Sequence, residues 1–274
     1  MLIDPEFKEK LEQLPAEGRR RRGPRSRDEA PRVGIGPWRL ARKGDGRART
    51  RLERLFARLF VPYDLELTFL LDASLAMTFT GFSRPVPSEK FEYARRLTAA
   101  LSYASLCHYG SVRTLGFSPA KGRRAPILRT KEALPALTDY LEGIQPGGNT
   151  NFSATLRNSL ARGDDRSVYV ILSDFADANW ERGIRALMHG TSRIVLIQTY
   201  DDLPLPEPDI LGISDSPESD GDGQGRDHRQ VADELRRRLA EMARQNDLEH
   251  FPLAIGTPFE DALLRALGAP SGTR

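Results

Sequence analysis

Three nearly continuous apolar runs constrain this chain more than any other feature. They are Leu65-Glu66-Leu67-Thr68-Phe69-Leu70-Leu71-Asp72, Ser167 to Leu172, and Ile194 to Gln198. They lack the strict alternation of a half-solvated strand and have the composition of strands buried on both faces, as in a parallel sheet. Two of them end in an aspartate: Asp72, followed by Ala73-Ser74-Leu75-Ala76, and Asp174, just after Ser173. In open α/β sheets ligands bind in the crevice beyond the carboxyl ends of the strands, so Asp72, Ser74 and Asp174 stand where binding or chemistry is expected. The competing explanation for each is local, as a cap or turn former.

Helical patterns fill the intervals. Phe7, Leu11 and Leu14 suggest a short amphipathic helix over about 4–14, and Leu52, Leu55, Phe56 and Leu59 another that Pro62 stops. Ser88 is a good N-cap for a helix carrying Ala94, Leu97, Leu101 and Ala104 and ending near Gly110. A strand is expected at Val112 to Phe117, a short one at Pro126 to Leu128, and a helix from Lys131 to Leu141. The turn-rich Gln145-Pro146-Gly147-Gly148-Asn149-Thr150-Asn151 feeds a helix over about 152–160, with two glycines permitting close backbone approach. Further helices are expected at Trp180 to Met188 and Arg229 to Gln245, with a last strand at Leu248 to Ile255. Thr257-Pro258-Phe259-Glu260 reads as a capping box for a final helix to Leu267. Strands alternating with helices at these lengths predict an α/β fold with a doubly wound, mostly parallel sheet flanked by helices.

Charge is segregated along the 274 residues. Arginines crowd Arg19 to Arg58, including Arg19-Arg20-Arg21-Arg22, whereas Asp201 to Gly225 carries acids and no base. The predicted organisation is a basic, partly disordered N-terminal arm over 1–60 ending in a short helix. It is followed by a domain over 61–274 with an acidic loop at 201–226. No aromatics interleave the arginine run, which argues against nucleic-acid binding. No apolar stretch has the length of a membrane span, and the first residues lack a signal-peptide pattern. One cysteine, Cys107, rules out an intramolecular disulfide and a cysteine-built zinc site, and a cytoplasmic setting is expected.

Four oxygen-bearing residues fall at strand ends or in strand-adjacent loops: Asp72, Ser74, Thr150 and Asp174. Parallel neighbours place their carboxyl ends on one edge, so these groups are candidates to converge. Carboxylates and hydroxyls are hard ligands suited to Mg²⁺.

Asp72-Ala73-Ser74-Leu75-Ala76-Met77, Gly147-Gly148-Asn149-Thr150-Asn151 and Leu172-Ser173-Asp174-Phe175 together resemble a von Willebrand factor A domain with its metal-ion-dependent adhesion site (MIDAS). More narrowly, Arg54-Leu55-Phe56, Ser88 to Leu97 and Thr257-Pro258-Phe259-Glu260-Asp261 resemble the bacterial domain-of-unknown-function 58 (DUF58) family, over roughly Arg51 to Leu267. The resemblance implies Asp72, Ser74, Thr150 and Asp174 as ligands of Mg²⁺ or Mn²⁺. Ala76 departs from the pattern by standing where the loop's second serine is expected, which removes one ligand. It also implies a non-enzymatic protein-interaction module whose metal accepts an acidic side chain from a partner, with a MoxR-type AAA+ ATPase as that partner. No catalytic residue and no organic cofactor is expected.

Two other readings follow from the residues. A Mg²⁺-dependent hydrolase or phosphotransferase would use Asp72 as nucleophile, but it would want a second acid close behind, and position 74 is serine. No lysine lies immediately after the strand ends, and Gly147-Gly148 lacks the phosphate-loop pattern. A metal-independent scaffold is the third reading, through the loss at Ala76.

Overall fold

The computed structural model describes residues 2–14, 52–53, 56, 66–80, 86–87, 89–108, 111–117, 127–148, 167–189, 193–201 and 228–267. Its elements are α1 (Pro5–Gln13), β1 (Glu66–Asp72), a 3₁₀ turn (Leu75–Thr78), β2 (Phe79–Thr80), β3 (Val86–Pro87), α2 (Lys90–His108), β4 (Val112–Phe117) and β5 (Ile127–Leu128). After a 3₁₀ turn at Lys131–Ala133 come α3 (Leu134–Glu142), β6 (Ser167–Ser173), α4 (Trp180–Met188), β7 (Arg193–Tyr200), α5 (His228–Gln245), β8 (Glu249–Ala254) and α6 (Glu260–Ala266). Six strands form one sheet in the order β5-β4-β1-β6-β7-β8, and β2 pairs with β3 in a separate ribbon. Every pairing in the main sheet is parallel except β4 with the short edge strand β5.

Period-two alternation along the central strands divides the core between two sheet faces. Leu67, Phe69 and Leu71 of β1, Val168, Val170 and Leu172 of β6, and Val195 and Ile197 of β7 pack with α1, α2, α3 and α6. Leu70, Tyr169, Ile171, Ile194 and Leu196 pack with Trp180, Ile184 and Leu187 of α4 and Leu239 and Met242 of α5. Helices therefore cover both faces, which is why the strand sequences are apolar throughout. The doubly wound, mostly parallel fold read from the sequence is the fold observed.

Helix α1 is capped by Asp4, whose carboxylate accepts the Phe7 N–H at 3.0 Å, with Pro5 at its first turn. Phe7 and Leu11 are buried in the same cluster as Leu97 and Leu101. The expected capping box before α6 does not form. The Thr257 hydroxyl instead donates to the Ala254 carbonyl at 2.7 Å and closes the turn leaving β8, while the Glu260 carboxylate accepts from the Phe259 N–H at 3.2 Å. Among the described residues no helix is long and apolar enough to cross a membrane. The arginine-rich segment over 19–50, Ser88, Thr150, the helix expected over 152–160 and the acidic loop over 202–226 lie outside the described residues.

Candidate functional site

Strands β1 and β6 are parallel neighbours in register, with Leu71 opposite Leu172, so Asp72 and Ser173-Asp174 emerge side by side at the carboxyl edge. Three of the four predicted oxygen donors are thereby brought to one place. Asp72, Ser74 and Asp174 are all buried there. The fourth, Thr150, is outside the described residues, but the chain leading to it is tied to the same edge. The Gly147 N–H donates to the Ala73 carbonyl at 2.9 Å, and the Leu75 N–H donates to the Gly148 carbonyl at 3.1 Å.

Both Asp72 oxygens are engaged. Oδ1 accepts from the Ser74 N–H at 2.9 Å, an Asx-type turn that bends the chain out of β1, and Oδ2 accepts from the Ser173 hydroxyl at 2.6 Å. Ser173 Oγ in turn accepts the Phe175 N–H at 2.8 Å. Burial, and after it the charge of Asp174, push the Asp72 carboxyl well above the ordinary aspartate range, while the bonds from Ser173 and Ser74 act in the opposite sense.

Asp174 is held differently. Oδ1 accepts from the Ala176 N–H at 3.1 Å, and Oδ2 takes the Lys90 ammonium at 2.7 Å, with both side chains only 9% exposed. Its own N–H donates to the Met77 thioether at 3.2 Å, which fastens the 3₁₀ turn over the end of β6. The next residue, Phe175, has a φ of 57° and is fully buried, so its side chain anchors a left-handed backbone that a bulky residue rarely adopts. It packs edge-on against Trp180, in a groove continued by Val231, Glu234 and Arg238 of α5.

Lys90 is the charged side chain at this edge that the sequence motifs do not single out. A lysine immediately after a strand end was the signal sought, and the fold supplies one from the first turn of α2, 84 residues before its partner. His250 is structural, pairing with Gln198 at 3.2 Å between β8 and β7. Of the two glycines, Gly148 sits at a φ of 68° and so uses glycine's freedom. A Cβ on Gly147 would meet nothing within 4 Å, so close approach does not explain that glycine.

Among the described residues, which leave out Thr150, the donors as placed hold an ammonium, whereas Mg²⁺ takes oxygen ligands at about 2.0–2.1 Å in near-octahedral array, several of them waters. Ala76 has no oxygen to offer, both Asp72 oxygens already accept hydrogen bonds, and a cationic nitrogen sits on Asp174.

Fold and site together define a doubly wound α/β domain with a buried acid-and-hydroxyl cluster at its carboxyl edge. Residues 41–248 match the family described as "Protein of unknown function DUF58", and the chain belongs to that family. Comparison with curated proteins gives no match. Among solved structures, an aerotolerance-related membrane protein from Bacteroides fragilis NCTC 9343, carrying multiple mutations to serines, is similar at 15% identity and a TM-score of 0.44. The match covers 74% of this chain and 98% of that one. A von Willebrand factor type A protein from Catenulispora acidiphila is similar at 15% identity and a TM-score of 0.41. That match covers 76% of this chain and 43% of that one.

Proposed function

We propose that this chain is a non-enzymatic protein-interaction module, of the von Willebrand A type, that presents the carboxyl edge of its sheet to a protein partner. The observation that carries the reading is the loop after β1. Leu75 is 46% exposed next to the buried Ser74, with its N–H donating to the Gly148 carbonyl and with Asp72 accepting the Ser74 N–H. A single exposed leucine is ordinary on a protein surface, so the reading rests on its place, in a loop at the carboxyl edge of the sheet where binding residues concentrate and where the cluster fixes the backbone. A MoxR-type AAA+ ATPase is the partner this reading favours, on the motif resemblance that also led to the family. Catalysis by Asp72 is disfavoured, because that carboxylate is buried and already accepts two hydrogen bonds.

The test is co-purification of the tagged full chain with a MoxR-type ATPase from the same genome. Leu75→Asp should lower capture by about tenfold or more, the size expected when a contact worth about 1.4 kcal/mol or more is lost. Ile127→Asp is the control, because Ile127 is also exposed but lies on β5, opposite the amino-terminal end of β4. Equal capture by the parent and Leu75→Asp would refute the docking edge.

A further inference from the structure

The cluster at the carboxyl edge contains a cation of its own. Lys90 enters from the first turn of α2 with its side chain buried, and its ammonium lies 2.7 Å from Asp174 Oδ2. A lysine head is strongly hydrated and is left in a buried place only when a charged partner holds it. The other three carboxylate oxygens each accept a hydrogen bond from the protein: the Ser74 and Ala176 N–H groups and the Ser173 hydroxyl donate to Asp72 Oδ1, Asp174 Oδ1 and Asp72 Oδ2 respectively. A divalent ion taking Asp174 Oδ2 would have to displace the ammonium, and it would still find a methyl group at Ala76 in place of a hydroxyl.

We infer that Lys90 is the built-in counter-cation of this site, occupying the position at Asp174 that a divalent metal ion would need, so that the edge is assembled and works without metal. The substitution at position 76 then has a physical reason. Once an ammonium supplies the positive charge, a second loop hydroxyl has no ion to coordinate. The lysine reaches Asp174 Oδ2 through one hydrogen bond from a nitrogen with three donors, which requires no octahedral set of oxygens around it.

This inference concerns the site itself and stands apart from the identity of the partner, so it is tested on the isolated full chain. Mn²⁺ is titrated at neutral pH, with binding read by calorimetry and by loss of the free-ion magnetic resonance signal. The variants are Ala76→Ser, Lys90→Gln, the double substitution, and the double substitution with Asp174→Asn.

The parent and Ala76→Ser are expected to take up no Mn²⁺ below about 1 mM, because restoring the hydroxyl leaves the ammonium in place. The double substitution should gain a site at least about tenfold tighter, and Asp174→Asn should abolish it. Tight Mn²⁺ binding by the parent would overturn the inference. So would tight binding by Ala76→Ser with Lys90 intact, or failure of the double substitution, shown folded by far-ultraviolet circular dichroism, to bind more tightly than the parent. Ala76→Ser changes a half-exposed loop position and leaves the buried pair untouched, so the decisive comparison survives even if the Lys90 variants fold poorly. Loss of partner capture by Leu75→Asp is a separate readout and fails independently of this one.

Discussion

Removing the Lys90 ammonium should expose how strongly the site depends on it. In Lys90→Met the side chain keeps most of its length and its apolar stem, while Asp174 loses the charge that neutralises it. The aspartate is 8% exposed and retains the Ala176 N–H, so it is stranded in a poorly solvated place with Asp72 close enough for the two charges to act on each other. Breaking a buried pair by deleting one partner destabilises by about 3–5 kcal/mol, against a total stability of about 5–15 kcal/mol for a domain. With a urea slope of about 1–3 kcal/mol per molar, the unfolding midpoint should fall by at least about 1 M, read by far-ultraviolet circular dichroism. Lys90→Met/Asp174→Leu replaces both charges by apolar groups and should recover most of that loss, because the desolvation penalty disappears with the attraction. Completing the cycle with Asp174→Leu should give a coupling of about 2 kcal/mol or more. A coupling of about 0.5 kcal/mol or less would mean that the pair behaves like a solvated surface bridge, and the argument for a built-in cation would fail with it.

Other consequences can be measured on the same chain. The Asp72 carboxyl titrates at about 7 rather than 3.8, so the folded state retains a proton that the unfolded chain has released. That contribution to stability is fully present below about pH 4 and is lost as pH rises through 7, and Asp72→Asn should remove this loss. The variant's stability relative to the parent should therefore rise between pH 4.5 and 7.5 by something on the order of 1–4 kcal/mol, and a difference independent of pH would refute the shift. Gly148→Ala should cost about 1–2 kcal/mol because of its left-handed backbone, whereas Gly147→Ala should be close to neutral, and equal effects would contradict the loop geometry. Leu11→Ala should destabilise the whole domain by about 2–4 kcal/mol in one cooperative transition, and separate melting of α1 would show that it is only loosely docked.

The fold was legible because its strands are buried on both faces, so Leu, Ile, Val and Phe run almost without interruption in β1, β6 and β7. The aspartates at the end of β1 and just past β6 were readable for the same reason: a charged residue stands out when it closes an apolar run. Lys90 was not readable as part of the site. Its local context is an ordinary helix start, and only the crossover that brings α2 back over the sheet sets it against Asp174. The capping box before α6 failed on a local competition, in which the Thr257 hydroxyl had a nearer acceptor in the Ala254 carbonyl. The thioether of Met77 left no sequence signal either, since a methionine after the loop reads as core.

The anchoring of α1 has a consequence for the arginine-rich segment. Phe7 and Leu11 are sunk in the core, and Glu12 accepts a hydrogen bond from the Tyr103 hydroxyl. Beyond the segment, Phe56 is fully buried and Glu53 is paired with Arg265 of α6. Leu14 and Leu52, on either side of the segment, both pack against this same core. The first helix is thus held to the domain by packing as well as by the covalent chain, and its loss would open the core at Phe7 and Leu11.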